Sequence, residues 1–216
     1  MNSKKSFWST LPGVLTGIAA VITAIGGTIG VLYQTGTIGS KGQTYVPALT
    51  SPQMPHLINL GFEKGIVGWK LRGSNPHDYS IDTDNIVVHR GTASGYIRSI
   101  RKNAMGFGTM MQSFNAGIYR GRRVRMTAYV KTEKISGRSG LWMRVDGPSE
   151  KTYSFDNMEN RPIIGDTEWT KYECILEVPE GSKEILFGIL VEGNGKAWVD
   201  DFNFETVGSG VPTTNS

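Results

Sequence analysis

Residues 123–131 read RVRMTAYVK, and residues 140–147 read GLWMRVDG. In the first run Val124, Met126, Ala128 and Val130 alternate with Arg123, Arg125, Thr127, Tyr129 and Lys131, the period of two of a half-buried strand. In the second, Leu141, Met143 and Val145 form the apolar set and leave Trp142, Arg144 and Asp146 on the opposite face. A tryptophan that shares a face with an arginine and an aspartate is not simply filling a core. Further runs of the same kind cover residues 96–100, 108–114, 169–178, 184–191 and 196–205, and turn signals such as Gly137-Arg138-Ser139-Gly140, Asp146-Gly147-Pro148 and Gly193-Asn194-Gly195 separate them. No amphipathic helix of a dozen residues interrupts them. The pattern predicts an all-β sandwich or jelly roll over residues 57–207. Residues 184–191, EILFGILV, are apolar at nearly every position and read as a central strand covered on both sides.

Outside this domain the chain changes character. Residues 11–33 hold 23 residues without a charge, enough as a helix to span about 35 Å against a hydrocarbon core of about 30 Å. Trp8 and Tyr33 bracket the run where interfacial aromatics belong, and the run is longer than a signal-peptide core. It reads as a retained transmembrane helix. Lys4 and Lys5 before it place residues 1–10 in the cytoplasm and the C-terminal domain outside, as in a single-pass membrane protein. Gly26 and Gly30 form a small-xxx-small step at which two copies of the helix can approach, a route to a homo-oligomer. Residues 34–56, rich in Gly, Pro, Ser and Thr, read as a linker, and 208–216 as a polar, disordered tail with nothing to bury.

Composition excludes several classes. Of 216 residues, 23 are Lys or Arg and 19 Asp or Glu, and residues 41–216 carry 21 bases against 19 acids. The densest basic patch, Arg120, Arg122, Arg123 and Arg125, is no nucleic-acid face, and no nucleic-acid partner is expected. Cys174 is the single cysteine, which removes any intramolecular disulfide or zinc–thiolate site. His56, His77 and His89 fit no metal-ligand spacing, no serine sits in a GxSxG elbow, and no pair of acids is set across a cleft. An enzyme is therefore not expected.

The order of short motifs is more specific. Asn59-Leu60-Gly61-Phe62-Glu63 followed by Gly68-Trp69, then residues 89–96 (HRGTASGY), 121–131 (GRRVRMTAYVK), 166–172 (DTEWTKY), Val178-Pro179-Glu180-Gly181 and the closing Trp198-Val199-Asp200-Asp201-Phe202, taken together, resemble the carbohydrate-binding-module superfamily with a galactose-binding-like jelly roll. Residues 106–112, 141–147 and 155–163 look like a bacterial subgroup often appended to AraC-type regulators or peptidases. The resemblance implies the jelly-roll fold and a structural calcium held by Glu63 on the first strand and an aspartate on the last, Asp201 before Asp200, with loop carbonyls completing an oxygen shell.

A saccharide site combines a flat aromatic with planar polar groups that bond hydroxyls. Trp142, Arg144, Asp146 and Tyr129, extended through Gln112 and Arg98 on neighbouring runs and through Asn157 on the loop after 155, form such a set. The same residues also read as an ordinary sandwich tryptophan beside an internal ion pair. Two functions follow: a membrane-anchored, non-catalytic module recognising a saccharide or cell-envelope polymer, or an interaction module docking an envelope protein through the same jelly roll.

Overall fold

The computed structural model describes residues 57–215. Nine strands follow one another: β1 (Lys70–Gly73), β2 (Tyr79–Asp84), β3 (Ser94–Ser99), β4 (Phe107–Asn115), β5 (Arg122–Asp146), β6 (Thr152–Asp156), β7 (Ile163–Val178), β8 (Glu184–Glu192) and β9 (Lys196–Val207). All pairings are antiparallel. Among the described residues no helix is long and apolar enough to cross a membrane. Residues 1–10, the transmembrane segment 11–33 and the linker 34–56 lie outside the described residues.

β5 is 25 residues long and belongs to two layers. Its first half pairs with β7 and β9, and its second half pairs with β8 and β6. The register against β7 shifts between Val130 and Ser139, and Lys134 adopts a positive φ of 52° there. A strand that changes sheets needs such a break, because the pleat must turn a corner. The Gly137–Gly140 signal thus marks a bend within one strand rather than the turn between two that the sequence suggests. One layer is β2-β3-β9-β5-β7 and the other β1-β4-β8-β5-β6. β8 runs between β4 and β5 and is buried along nearly its whole length, as its apolar run demands. Composition alone did not reveal β1, β2 and β6, which are short and mixed in polarity.

The core lies between the layers. Val124, Met126, Ala128 and Val130 from one half of β5 meet Leu141, Met143 and Val145 from the other, with Ile185, Phe187, Ile189 and Val191 of β8. The loop before β1 closes it. Phe62 stacks on Trp69 at 4.8 Å, Trp69 packs against Phe187 and Phe202, and the Trp69 indole donates to Asn59 O at 3.1 Å. A Cβ on Gly95 would stand 2.2 Å from the Phe62 ring, so only glycine lets β3 pass beneath it. The Phe62-Trp69 motif is therefore the apolar plug of the sandwich.

The C-terminal stretch is tied down, contrary to the disordered tail that its composition suggests. Thr214 N donates to Ile175 O (2.9 Å), and Thr214 Oγ1 reaches the fully buried Asp156 carboxylate (2.5 Å), which also pairs with Arg161. Arg123 donates to the carbonyls of Ser209 and Val211. Few apolar atoms are involved, so hydropathy carries no trace of this staple.

Two outcomes are expected from these contacts. Gly95→Ala forces the Phe62 ring aside and lowers unfolding free energy by about 1–3 kcal/mol in urea denaturation. Deleting residues 209–216 strips Asp156 of Thr214 and lowers it by about 1–2 kcal/mol; an unchanged urea midpoint would show that the tail contributes nothing.

Candidate functional site

The outer face of the β4-β8-β5-β6 layer carries a second apolar cluster, separate from the core: Phe107, Met111, Trp142, Leu186 and Leu190, with Phe155 packed against it. Trp142 sits at its centre. Its Nε1 donates to Thr109 Oγ1 (2.7 Å), and that hydroxyl donates to Ile189 O (2.8 Å), so the indole is oriented by a short relay. Two and four residues on, the same face carries Arg144 and Asp146. Arg144 donates through Nε (3.1 Å) and Nη2 (2.7 Å) to Asp146 Oδ2, and Thr152 donates to Oδ1 (3.3 Å). Trp142 is 0% exposed, Arg144 2% and Asp146 3%. Breaking so deeply buried an ion pair by removing one partner costs about 3–5 kcal/mol, far more than a surface pair.

The set expected from alternation does not form one patch. Trp142, Arg144 and Asp146 are together. Asn157 follows β6 in the adjoining loop, where it is buried; its Oδ1 accepts from Glu159 N (3.2 Å) and its carbonyl from Arg138 (3.2 Å). Gln112 shares the pleat of Met110 and Phe114, faces the inner side and clamps the backbone of Ile58 through its Oε1 (3.3 Å) and Nε2 (2.7 Å). Arg98 and Tyr129 stand on the outer face of the other layer. Arg98 is exposed and bonds Ser80 Oγ at 3.3 Å, whereas the Tyr129 ring stacks on His89 at 3.7 Å. Parity says on which side of its own strand a residue lies, and the two layers turn their outer sides in opposite directions. Trp142 is also not the accessible platform that its polar neighbours suggest, because the outer face is itself closed to solvent.

Beside Tyr129 lies a feature that spacing alone did not isolate: His89. His89, Asp200 and Asp201 place ligand atoms within 4.8 Å of one another. Asp200 is fully buried; its Oδ2 accepts from His89 N (3.2 Å) and Arg90 N (3.1 Å), and its Oδ1 from Asp201 N (2.8 Å). Asp201 has a positive φ of 53°, close to a register shift between β5 and β9, and its Oδ2 pairs with His89 Nδ1 (2.8 Å). Of the two aspartates, Asp200 is thus the inward one and Asp201 the one paired with a histidine. Glu63 is not in this cluster. It is exposed and accepts from Thr92 N (3.0 Å) and Thr92 Oγ1, against Gly91, where a Cβ would stand 1.9 Å from its Oε1. Burial drives the Asp200 carboxyl up to about 6, backbone N–H groups of Arg90 and Asp201 only partly offsetting it, while the Asp201 charge adds to the rise. Among the described residues the Asp200 carboxylate is bonded by backbone N–H donors, and the cluster offers two carboxylates and an imidazole, a smaller oxygen set than calcium takes.

No protein-family model matches the chain. The xylan-binding CBM22 module of a Paenibacillus barcinonensis xylanase superimposes with a TM-score of 0.51 at 20% identity, over 72% of this chain and 94% of that module. The described chain has the jelly-roll fold of carbohydrate-binding modules. The enzymatically active domain of tailspike protein 4 of bacteriophage CBA120 gives 0.55 at 15% identity, over 73% of this chain and 22% of that one. At such identities the likeness is one of fold. In sequence, 154 residues are 44% identical to YbfP of Bacillus subtilis, an uncharacterised helix-turn-helix-type transcriptional regulator, over 71% of this chain. The chain spans about half the length of that relative, 52%.

The raised Asp200 pKa sets a pH dependence. Because the folded value lies above that of the unfolded chain, its contribution to stability is fully present below about pH 4 and lost as pH rises through 6. In chelator, lowering the pH from 7.5 to 5 therefore raises the contribution from Asp200, and Asp200→Asn, whose amide does not titrate, flattens that trend in the melting temperature. An unchanged pH trend in the variant would contradict the raised titration assigned to Asp200.

Proposed function

We propose that the chain is a non-catalytic module that binds a saccharide or cell-envelope polymer, held at a membrane by residues 11–33. The observation that supports it is the arrangement on the outer face of the β4-β8-β5-β6 layer: an oriented indole at Trp142 beside the Arg144–Asp146 pair, in the fold of a xylan-binding module. A ring offers its face to sugar C–H groups, and a guanidinium with a carboxylate supplies donors and acceptors for hydroxyls. Since Trp142 is 0% exposed, a ligand reaches it only when the face opens, and apparent affinity is scaled by the fraction of molecules in the open state. A structural calcium would have to be built on the Asp200 and Asp201 carboxylates, with Asp200 released from the backbone N–H groups it now accepts from; Glu63 would belong to it only if its carboxylate left Thr92.

A second reading, an interaction module that docks a protein partner, is favoured by the regulator-type relative: a segment 44% identical to this domain makes up about half of an uncharacterised helix-turn-helix-type regulator. In both readings the domain recognises and another unit responds.

The deciding experiment is a panel of plant, microbial and cell-wall glycans against the full chain, with Trp142→Phe and Phe155→Ala alongside. Trp142→Phe keeps the apolar cluster filled while removing the indole donor, so folding stays intact. Expected is binding to at least one glycan that weakens about tenfold in either variant. Absence of any glycan binding, with a membrane protein recovered by crosslinking instead, would favour the partner reading. Millimolar calcium is expected to raise the melting temperature at pH 7.5 and chelator to reverse it; no change would remove the ion from the proposal.

A further inference from the structure

The outer side of the β4-β8-β5-β6 layer is shut, although the apolar cluster on it draws, among the described residues, on those four strands alone: Phe107 and Met111 of β4, Leu186 and Leu190 of β8, Trp142 of β5 and Phe155 of β6. Side chains of one sheet stand side by side, roughly perpendicular to it, and their far ends stay open unless a second layer lies about 10 Å above. Trp142 and Leu190 are nonetheless fully buried, and Leu186 nearly so. β8 tells the same story, since Ile185, Phe187 and Ile189 point into the core while Leu186 and Leu190 point out. A strand that is apolar on both sides is a strand covered on both sides. The inner cover is the other layer; the outer one has to come from elsewhere.

The chain carries a segment suited to it. It enters the described domain beside this layer, where Gln112 of β4 clamps the backbone of Ile58 through its Oε1 (3.3 Å) and Nε2 (2.7 Å). Residues 42–55, immediately before, read GQTYVPALTSPQMP, with an apolar run at 45–49, prolines at 47, 52 and 55, and no charge. An uncharged cover fits a face on which Arg144 and Asp146 already neutralise each other, because a charge laid over that pair would lose its water without gaining a counter-charge. Pro47, Pro52 and Pro55 have φ fixed in advance, so less chain entropy is lost on docking, and proline-rich segments bind grooves lined by aromatic rings, here Phe107, Trp142 and Phe155. Reach is sufficient. From Leu49 to Leu57 the chain extends up to about 26 Å, against about 14 Å across the three strand spacings from β1 to β5.

We infer that residues 42–55 of the same chain dock across the outer side of β4, β8 and β5 and are the cover of Trp142. The short connection to Ile58 gives the segment an effective concentration in the millimolar range, so a contact too weak to hold a free peptide keeps the face closed. A ligand of this face competes with the segment; that consequence rests on the proposed function, whereas the cover itself does not require that the face bind anything.

The test is hydroxyl-radical footprinting of the full chain, read residue by residue by mass spectrometry, for the parent and for Tyr45→Ser/Val46→Ser/Leu49→Ser. In the parent, Trp142 and Met111 are expected to be as protected as Trp69 and Met126 of the core. In the triple variant, oxidation of Trp142 and Met111 rises about tenfold as the open state gains population, while Trp69 and Met126 stay protected. Continued protection of Trp142 in that variant overturns the cover, and so does loss of protection at all four residues, which would place the segment's role in the core. Independently, a photocross-linking side chain introduced as Tyr45→p-benzoylphenylalanine should join β4, β5 or β8 of its own chain; cross-links to other elements, or between two chains, overturn the assignment. The glycan panel repeated on the triple variant separates this inference from the proposed function. Binding tightened about tenfold supports both, whereas an uncovered Trp142 that binds no glycan leaves the cover standing and refutes the face as a saccharide site.

Discussion

Everything in this domain hangs on β5 serving both layers. A strand of 25 residues cannot stay in one twisted sheet and also cover it, so it bends, and the bend near Lys134 turns its second half over the first. The apolar residues of both halves then face one another across a single core. The polar sides of the two halves are sent to opposite exteriors, which is why Tyr129 and Trp142 are only 13 positions apart yet do not share a surface. The plug made by Phe62 and Trp69 closes that core from the loop before β1.

Three acidic groups buried in this frame are handled in different ways. Asp146 takes a guanidinium in a dry setting, where a broken pair leaves a bare charge. Asp156 takes Arg161 and a hydroxyl from the C-terminal stretch, so a polar tail is fixed by the need of a buried carboxylate. Asp200 is met by backbone N–H groups among the described residues, and burial raises its pKa against their pull. Where proteins leave a buried charge without a counter-charge, function or an ion is the usual reason.

The chain shares its fold with a xylan-binding module and 44% identity over 154 residues with a regulator of about twice the aligned length. A jelly roll offers several surfaces: two outer faces and two ends. In this chain one outer face carries an apolar cluster beside a buried ion pair.

Alternation along β5, the continuous apolar run of β8 and the turn residues between runs were enough to determine an all-β sandwich and to say which residues of the two β5 runs turn inward, because side-chain direction in a strand follows from covalent geometry. The sequence alone also held the ordered motifs that carry the carbohydrate-module resemblance. Only the tertiary structure decided that Gln112 faces inward, that Arg98 and Tyr129 stand on the far layer, that Trp142 is covered, and that Asp200 rather than Asp201 is the buried acid. Those are questions of which strand lies beside which and where a bulge falls, and they are settled by contacts between residues far apart in the chain, to which a local period of two is blind.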